Sequence, residues 1–185
     1  MKIQRLSTAS FKVFSPGGKV IMVDPWLTND PLWPLSERKP DKLKEIDIIA
    51  VTHAHFDHAS GVDEIVKLNE KVAIIAQFEY ALFLMDRGIK GVIPTNFGAT
   101  VDFQGIKFSM VPASHTFGYI DNSVKSEMIG EACGYVIELE NGRKIYFSGD
   151  TGLTADMKFV VADYYKPHIA VLPVTGQFSM NPGQA

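Results

Sequence analysis

Apolar positions along this chain fall into short blocks whose spacing predicts strands far more often than helices. Residues 46–51, Ile-Asp-Ile-Ile-Ala-Val, form a compact apolar run that ends directly on Thr52-His53. Such a run reads as a central strand buried on both faces. Residues 7–14 and 19–23 predict two more strands, joined at the turn Pro16-Gly17-Gly18. Between 24 and 40 the pattern breaks into four prolines and two tryptophans, which predicts an irregular loop. Residues 61–69 carry Val62, Ile65, Val66 and Leu68 at roughly helical spacing. A strand over 72–76 and a helix over 78–86 follow. A hairpin is expected over 101–103 and 106–112, turned at Gln104-Gly105. A second, over 135–139 and 144–148, flanks Asn141-Gly142, the strongest short-range hairpin signal in the chain. Residues 154–165 predict a helix with Thr154 as N-cap, stopped by Pro167, and 169–174 a last apolar strand. Strand pairs with helices inserted between them indicate a sheet-rich α/β domain.

Length and composition narrow this picture. At 185 residues the chain suits one substantial domain, taken as 1–185. Its net charge is −3, with Lys and Arg scattered, so no basic footprint for nucleic acid or a membrane surface stands out. The single cysteine, Cys133, allows no intrachain disulfide and suits a reducing compartment. The N-terminus turns polar at Lys2, Gln4 and Arg5, too early for the apolar core of a secretory signal. No apolar run reaches the roughly 18 residues that span a bilayer. A soluble cytoplasmic protein acting on a small molecule is the expectation, with the oligomeric state left open.

The chemistry concentrates in His53-Ala54-His55-Phe56-Asp57-His58. In an extended loop, residues two apart point the same way, so His53 and His55 can hold one ion together. A turn over 56–59 would swing Asp57 and His58 toward a second. Mixed imidazole and carboxylate donors fit Zn, Mn or Fe better than Ca or a sulfur-bound centre. One stray histidine after a strand is an ordinary loop residue. Three histidines and an aspartate within six positions are hard to explain as packing.

This run resembles the signature of the metallo-β-lactamase superfamily, and three further segments share the resemblance. Val23-Asp24-Pro25 is similar to that family's aspartate at an early strand end. Ser114-His115 matches its next histidine, and Phe147-Ser148-Gly149-Asp150-Thr151 its metal-bridging aspartate. Within the superfamily, Gly149-Asp150-Thr151-Gly152-Leu153 with Asp156-Met157, Pro167 and Leu172-Pro173 looks closest to small cytoplasmic hydrolases related to L-ascorbate-6-phosphate lactonase.

The resemblance implies an αββα four-layer sandwich and a centre of two divalent metal ions, zinc first, with manganese or iron as alternatives. It assigns one ion to His53, His55 and His115 and the other to Asp57 and His58, with Asp150 bridging. Asp57 and Asp150 are the catalytic candidates, and Asp24 is expected to support a ligand from behind. The family's second ion also takes a histidine from beyond the last strand seen here. No histidine follows His168, and the sequence ends at Ala185. The expectation is therefore a domain short of its C-terminal strand and helix, or a second ion with fewer protein ligands.

The implied function is metal-dependent hydrolysis of a small ester, lactone or phosphoester. A nuclease or phosphodiesterase of the same fold is an alternative, with the lack of basic clustering against it. A secreted β-lactamase lacks support from a signal segment. A di-iron oxygen reductase would replace His55 by glutamate. A metal-binding protein without turnover remains open. Among weaker candidates, His168 reads as a strand-end residue and Cys133 as a small buried hydrophobe. Trp26 and Trp33 are balanced between a substrate mouth and the core. Residues 118–132 are read as an active-site flap, narrowly ahead of a plain loop.

Overall fold

The computed structural model describes residues 1–120, 126–127 and 129–185. Two sheets face one another, with helices on both outer surfaces. The first sheet runs in sequence order through β1 (Lys2–Arg5), β2 (Phe11–Phe14), β3 (Val20–Val23), β4 (Ile48–Ala50), β5 (Ala73–Gln77) and β6 (Val92–Thr95). Its first three strands are antiparallel neighbours and β3 to β6 are parallel. The second sheet contains β7 (Thr100–Phe103) and β8 (Ile106–Pro112). After the two-residue pair β9 (Tyr119–Ile120) and β10 (Ser126–Glu127) it continues with β11 (Cys133–Glu138), β12 (Lys144–Phe147) and β13 (Ile169–Val171). Its spatial order is β13-β12-β11-β8-β7.

Strand parity builds the layers. Alternate side chains point to opposite faces. Ile21, Val23, Ile48, Ala50 and Ile75 therefore meet Phe108, Met110, Tyr135, Ile137 and Ile145 of the second sheet in one apolar layer. Their neighbours Met22, Ile49 and Ile74 pack outward against Leu43, Ile65 and Leu84. Those residues belong to α1 (Pro40–Lys44), α3 (Val62–Leu68) and α4 (Phe78–Asp86). On the other side, Val111, Val136 and Tyr146 pack against Val161 of α5 (Met157–Tyr165). The result is the expected αββα sandwich. A strand covered on both faces gains by being apolar throughout, which is why β4 and β5 read as unbroken runs.

Several local expectations need correction. The strand expected over 7–14 is only β2, because Leu6, Ser7 and Ser10 make the connection from β1, with Leu6 N–H donating to Ser10 O at 2.8 Å. Strand β1 has too short an apolar pattern to stand out, and β6 carries Pro94, tolerable because β6 is an edge strand. The loop over 24–40 contains a 3-10 turn at Leu35–Glu37. Thr154 does not cap α5: its hydroxyl is buried with no partner among the described residues. That helix is wound with π-type bonds, such as Lys166 N–H to Val161 O at 2.9 Å. Packing of Val160, Val161 and Tyr165 on the second sheet holds it in place of a cap. The expected flap over 118–132 lies in part outside the described residues.

Candidate metal centre

The chemistry sits where the two sheets' strand ends meet. Strand β4 delivers Thr52 and His53, both fully buried. The backbone then stays extended through His55, and His53 Nε2 comes 3.0 Å from His55 Nδ1. The single-turn helix α2 (Phe56–Ala59) opens immediately after. Its turn brings the His58 ring to 4.0 Å from that of His53, centroid to centroid. His115, in the loop after β8, places its ring 5.0 Å from His53 and 5.1 Å from His55. Asp150, after β12, sets Oδ2 3.6 Å from His58 Nε2 and 3.9 Å from His115 Nε2.

Two donor groups result, His53/His55/His115 and His53/His58/Asp150, each with one donor atom per residue lying within 4.8 Å of the others. Asp57 belongs to neither, although its Oδ2 lies 3.8 Å from His58 Nε2.

Asp24 organises these histidines from behind. It is buried and follows β3 with φ of 49°, a left-handed conformation that aspartate adopts more readily than most residues. Its Oδ1 accepts the Thr52 backbone N–H at 2.7 Å. Its Oδ2 accepts both the Thr52 hydroxyl at 2.7 Å and His58 Nδ1 at 2.9 Å. Because the Thr52 hydroxyl donates its proton to Asp24, its oxygen is left to accept from His53 Nδ1, 3.1 Å away. Both histidines thereby hold a proton on Nδ1 and aim Nε2 at the centre.

Electrostatics fit a cation. Burial, reinforced by the neighbouring imidazoles, pushes the His53 pKa well down. Burial also lowers those of His55 and His115. Three histidines are thus neutral and available as ligands near pH 7. His58 goes the other way: burial opposes its charge, but Asp24 and then Asp150 raise its pKa to about 10. Burial likewise opposes the charge on Asp150, yet the neighbouring His58 holds its pKa below the usual carboxylate range. A site that retains a proton so firmly has the negative field a divalent ion requires.

The sign of the pH effect follows. His58 is protonated below about 10, so an ion at its Nε2 must displace one proton. Zinc affinity is expected to rise about tenfold per pH unit from pH 6.5 to 8.5, as read by chelator competition at three pH values. An affinity flat with pH would remove His58 from the donor set.

Comparison with known proteins agrees with this arrangement. Residues 19–185 match the family described as beta-lactamase superfamily domain. A UPF0173 metal-dependent hydrolase of Polaromonas sp. is 37% identical over 97% of this chain and 68% of its own length. One from Methanosphaera stadtmanae is 39% identical over 97% of this chain and 74% of its own. This chain belongs to the UPF0173 metal-dependent hydrolase family. Among solved structures, Igni18, a metallo hydrolase from the archaeon Ignicoccus hospitalis, superposes with a TM-score of 0.82 at 29% identity. That likeness covers 98% of this chain and 74% of Igni18.

Cross-bonded loops hold the donors. Thr151 Oγ1 accepts the Ser114 N–H at 2.9 Å, and Gly152 N–H returns to Ser114 O at 2.9 Å. His115 and Asp150 are thereby tied to each other although 35 positions apart. Gly149 has φ of 60°, and a Cβ there would lie 2.7 Å from both Cβ and Oγ1 of Thr52. Gly149→Ala combines a left-handed penalty of about 1–2 kcal/mol with that clash. A total loss of about 2–4 kcal/mol is expected in urea unfolding, together with weaker metal binding as Thr52 is displaced. A stability within about 0.5 kcal/mol of the parent would contradict it.

Sequence reasoning overlooked Thr52, whose one signal was a hydroxyl at the end of a fully buried strand. The tryptophans divide: Trp33 is buried in the core behind the first sheet, whereas Trp26 is half-buried beside Phe56, edge to face at 5.9 Å. Cys133 is buried, with its thiol pKa pushed far up by burial. His168 serves a strand end, its Nδ1 accepting the Lys144 N–H at 3.1 Å. No helix among the described residues is long and apolar enough to cross a membrane.

Proposed function

We propose that this chain is a hydrolase of small ester, lactone or phosphoester substrates, working with two divalent ions, zinc foremost and manganese or iron as alternatives. The observation that carries the reading is the pair of donor groups converging around His53. One Nε2 lone pair serves one ion. The 3.0 Å approach to His55 favours counting His53 with His55 and His115. That leaves His58 and Asp150 for the second position, with Asp57 as its nearest further carboxylate. Ions held there would lower the pKa of a water and neutralise charge developing on the substrate oxygen.

The protein's own groups orient and move the proton. Asp150, held ionised by His58, lies within reach of both groups and positions the attacking water. Asp57 is partly open to solvent and is assigned the role of accepting the proton of that water. The resemblance of the Gly149–Leu153 run to the L-ascorbate-6-phosphate lactonase group puts a phosphorylated sugar lactone in the substrate panel. A net charge of −3 without basic clustering favours a small substrate over nucleic acid, and the lone buried cysteine suits the cytoplasm.

The test is metal content per chain after chelator-free purification, followed by ester, lactone and phosphodiester hydrolysis before and after metal removal. Near two equivalents are expected, falling to one or fewer in His53→Ala. Hydrolysis should be lost on chelation and restored by metal. Metal bound without hydrolysis of any class would favour the non-catalytic reading, and folded protein without metal would overturn both.

A further inference from the structure

A cavity of about 750 Å³ touches none of the metal-donor side chains. It lies between α3 and α4 and meets the metal loop through Ala54, Phe56 and Ala59. Parity explains this position. Along the extended stretch to His55, His53 and His55 face the centre while Ala54 between them takes the other side, and Phe56, the first residue of α2, lines the cavity beside it. The cavity therefore opens beside the centre, with the exposed Phe56 and its edge-on neighbour Trp26 at the lip between them.

Its walls define what it accepts. Five aromatic rings line it: Trp26, Phe56, Tyr80, Phe83 and Tyr119. Its four charged residues cancel, Asp63 and Glu64 against Lys67 and Arg87. Arg87 is already engaged, with Nη2 donating to Asp63 at 2.8 Å and Nη1 to the Tyr119 hydroxyl at 2.9 Å. Its guanidinium also lies 5.4 Å from the Phe83 ring centre and 5.3 Å from that of Tyr119. A charged ligand would meet a neutralised wall and lose its own hydration. A neutral aromatic group would gain ring contacts at little such cost. The volume falls within the range of small-ligand sites, roughly 300–1,000 Å³.

We propose that this cavity holds the uncharged aromatic portion of the substrate, passed over the Trp26–Phe56 lip with its scissile bond at the metal centre. Resting on the hydrolase reading above, it narrows the substrate class to aryl-bearing esters or lactones and away from phosphorylated sugars.

Two measurements separate the two ideas. The first is binding of the neutral fluorophore N-phenyl-1-naphthylamine to metal-stripped protein, which needs no turnover. Saturable binding is expected, at least tenfold weaker in Lys67→Trp, which adds a ring to the cavity from an exposed helix position, and in Phe83→Ala. Glu70→Trp, outside the cavity, should match the parent. The second is kcat/KM of the metal-loaded enzyme on a phenylacetyl ester against an acetyl ester of the same alcohol. The aryl preference should be at least tenfold and should collapse in Lys67→Trp through KM, with metal content unchanged. Absent or variant-insensitive probe binding overturns the proposal, as does an aryl preference that survives Lys67→Trp. No hydrolysis of either ester, nor of the lactone and phosphodiester panel, with probe binding intact, would overturn the hydrolase reading instead.

Discussion

Asp24→Asn is expected to cost about 100-fold in metal affinity, the upper end for a residue that orients ligands without touching the ion. The substitution preserves shape, so the effect isolates hydrogen bonding. Asp24 receives three donors on two oxygens: the Thr52 amide, the Thr52 hydroxyl and His58 Nδ1. Asparagine offers one oxygen and an NH₂ group, so at least one of these donors faces another donor in a buried place.

If His58 loses its acceptor, its Nε2 is no longer fixed as the metal-facing lone pair. If the Thr52 hydroxyl loses it, the proton moves and the His53 tautomer is no longer enforced. Loss at His58 disturbs the group of His53, His58 and Asp150, and loss at the Thr52 hydroxyl disturbs both groups, because His53 belongs to both. A buried donor left unpaired also destabilises the fold by about 1–3 kcal/mol. Zinc affinity by chelator competition, with urea unfolding of the metal-free protein, checks the two parts separately. A fall in stability alone, with zinc affinity intact, would make Asp24 a structural residue.

Lys12→Ala should destabilise the protein by about 3–5 kcal/mol, the range for removing one partner of a buried ion pair. Lys12 lies on β2 and is fully buried, a position where lysine is found only when paired. Its Nζ donates to Glu37 at 2.8 Å, to Glu45 at 2.9 Å and to the Lys42 carbonyl at 2.9 Å. Glu37 and Glu45 retain 15% and 28% side-chain exposure, so each keeps some water after the cation is gone. That relief favours the lower half of the range.

Burial raises the Glu37 pKa while Lys12 and Gln4 lower it, and the net shift is downward. Lys12 therefore contributes stability that is present above the ordinary carboxylate range and fades as acid protonates Glu37. Lys12→Ala should lose that part of the acid dependence, and Lys12→Met, which keeps most of the stem, should be less destabilised than Lys12→Ala. Denaturant midpoints at pH 4 and 7 check both points, and a Lys12→Ala midpoint within error of the parent would contradict them.

Much of this was legible in the order of residues. The runs at 46–51 and 72–76 announced β4 and β5 because a strand covered on both faces must be apolar throughout. Phe78–Asp86 and Ile106–Pro112 matched their expected bounds, since period and flanking residues agreed. Asn141-Gly142 marked its hairpin, with Gly142 at a φ of 77°. The cluster of His53, His55, Asp57 and His58 was visible because extended backbone followed by one helical turn is a local property.

Other features depended on partners distant along the chain. Nothing near Lys12 indicates a buried lysine, because its carboxylates stand 25 and 33 positions away. Thr52 acquires its role only from Asp24, 28 residues earlier. The division of the two tryptophans, the winding of α5 and the cavity beside the metal loop all follow from which surfaces the layers leave uncovered. The sequence by itself determined the central strands and the histidine run from His53 to His58, because those rest on periodicity and on chemistry within a few residues. Only the tertiary structure decided how the histidines are oriented and what the neighbouring cavity can hold, because both depend on atoms that folding alone brings together.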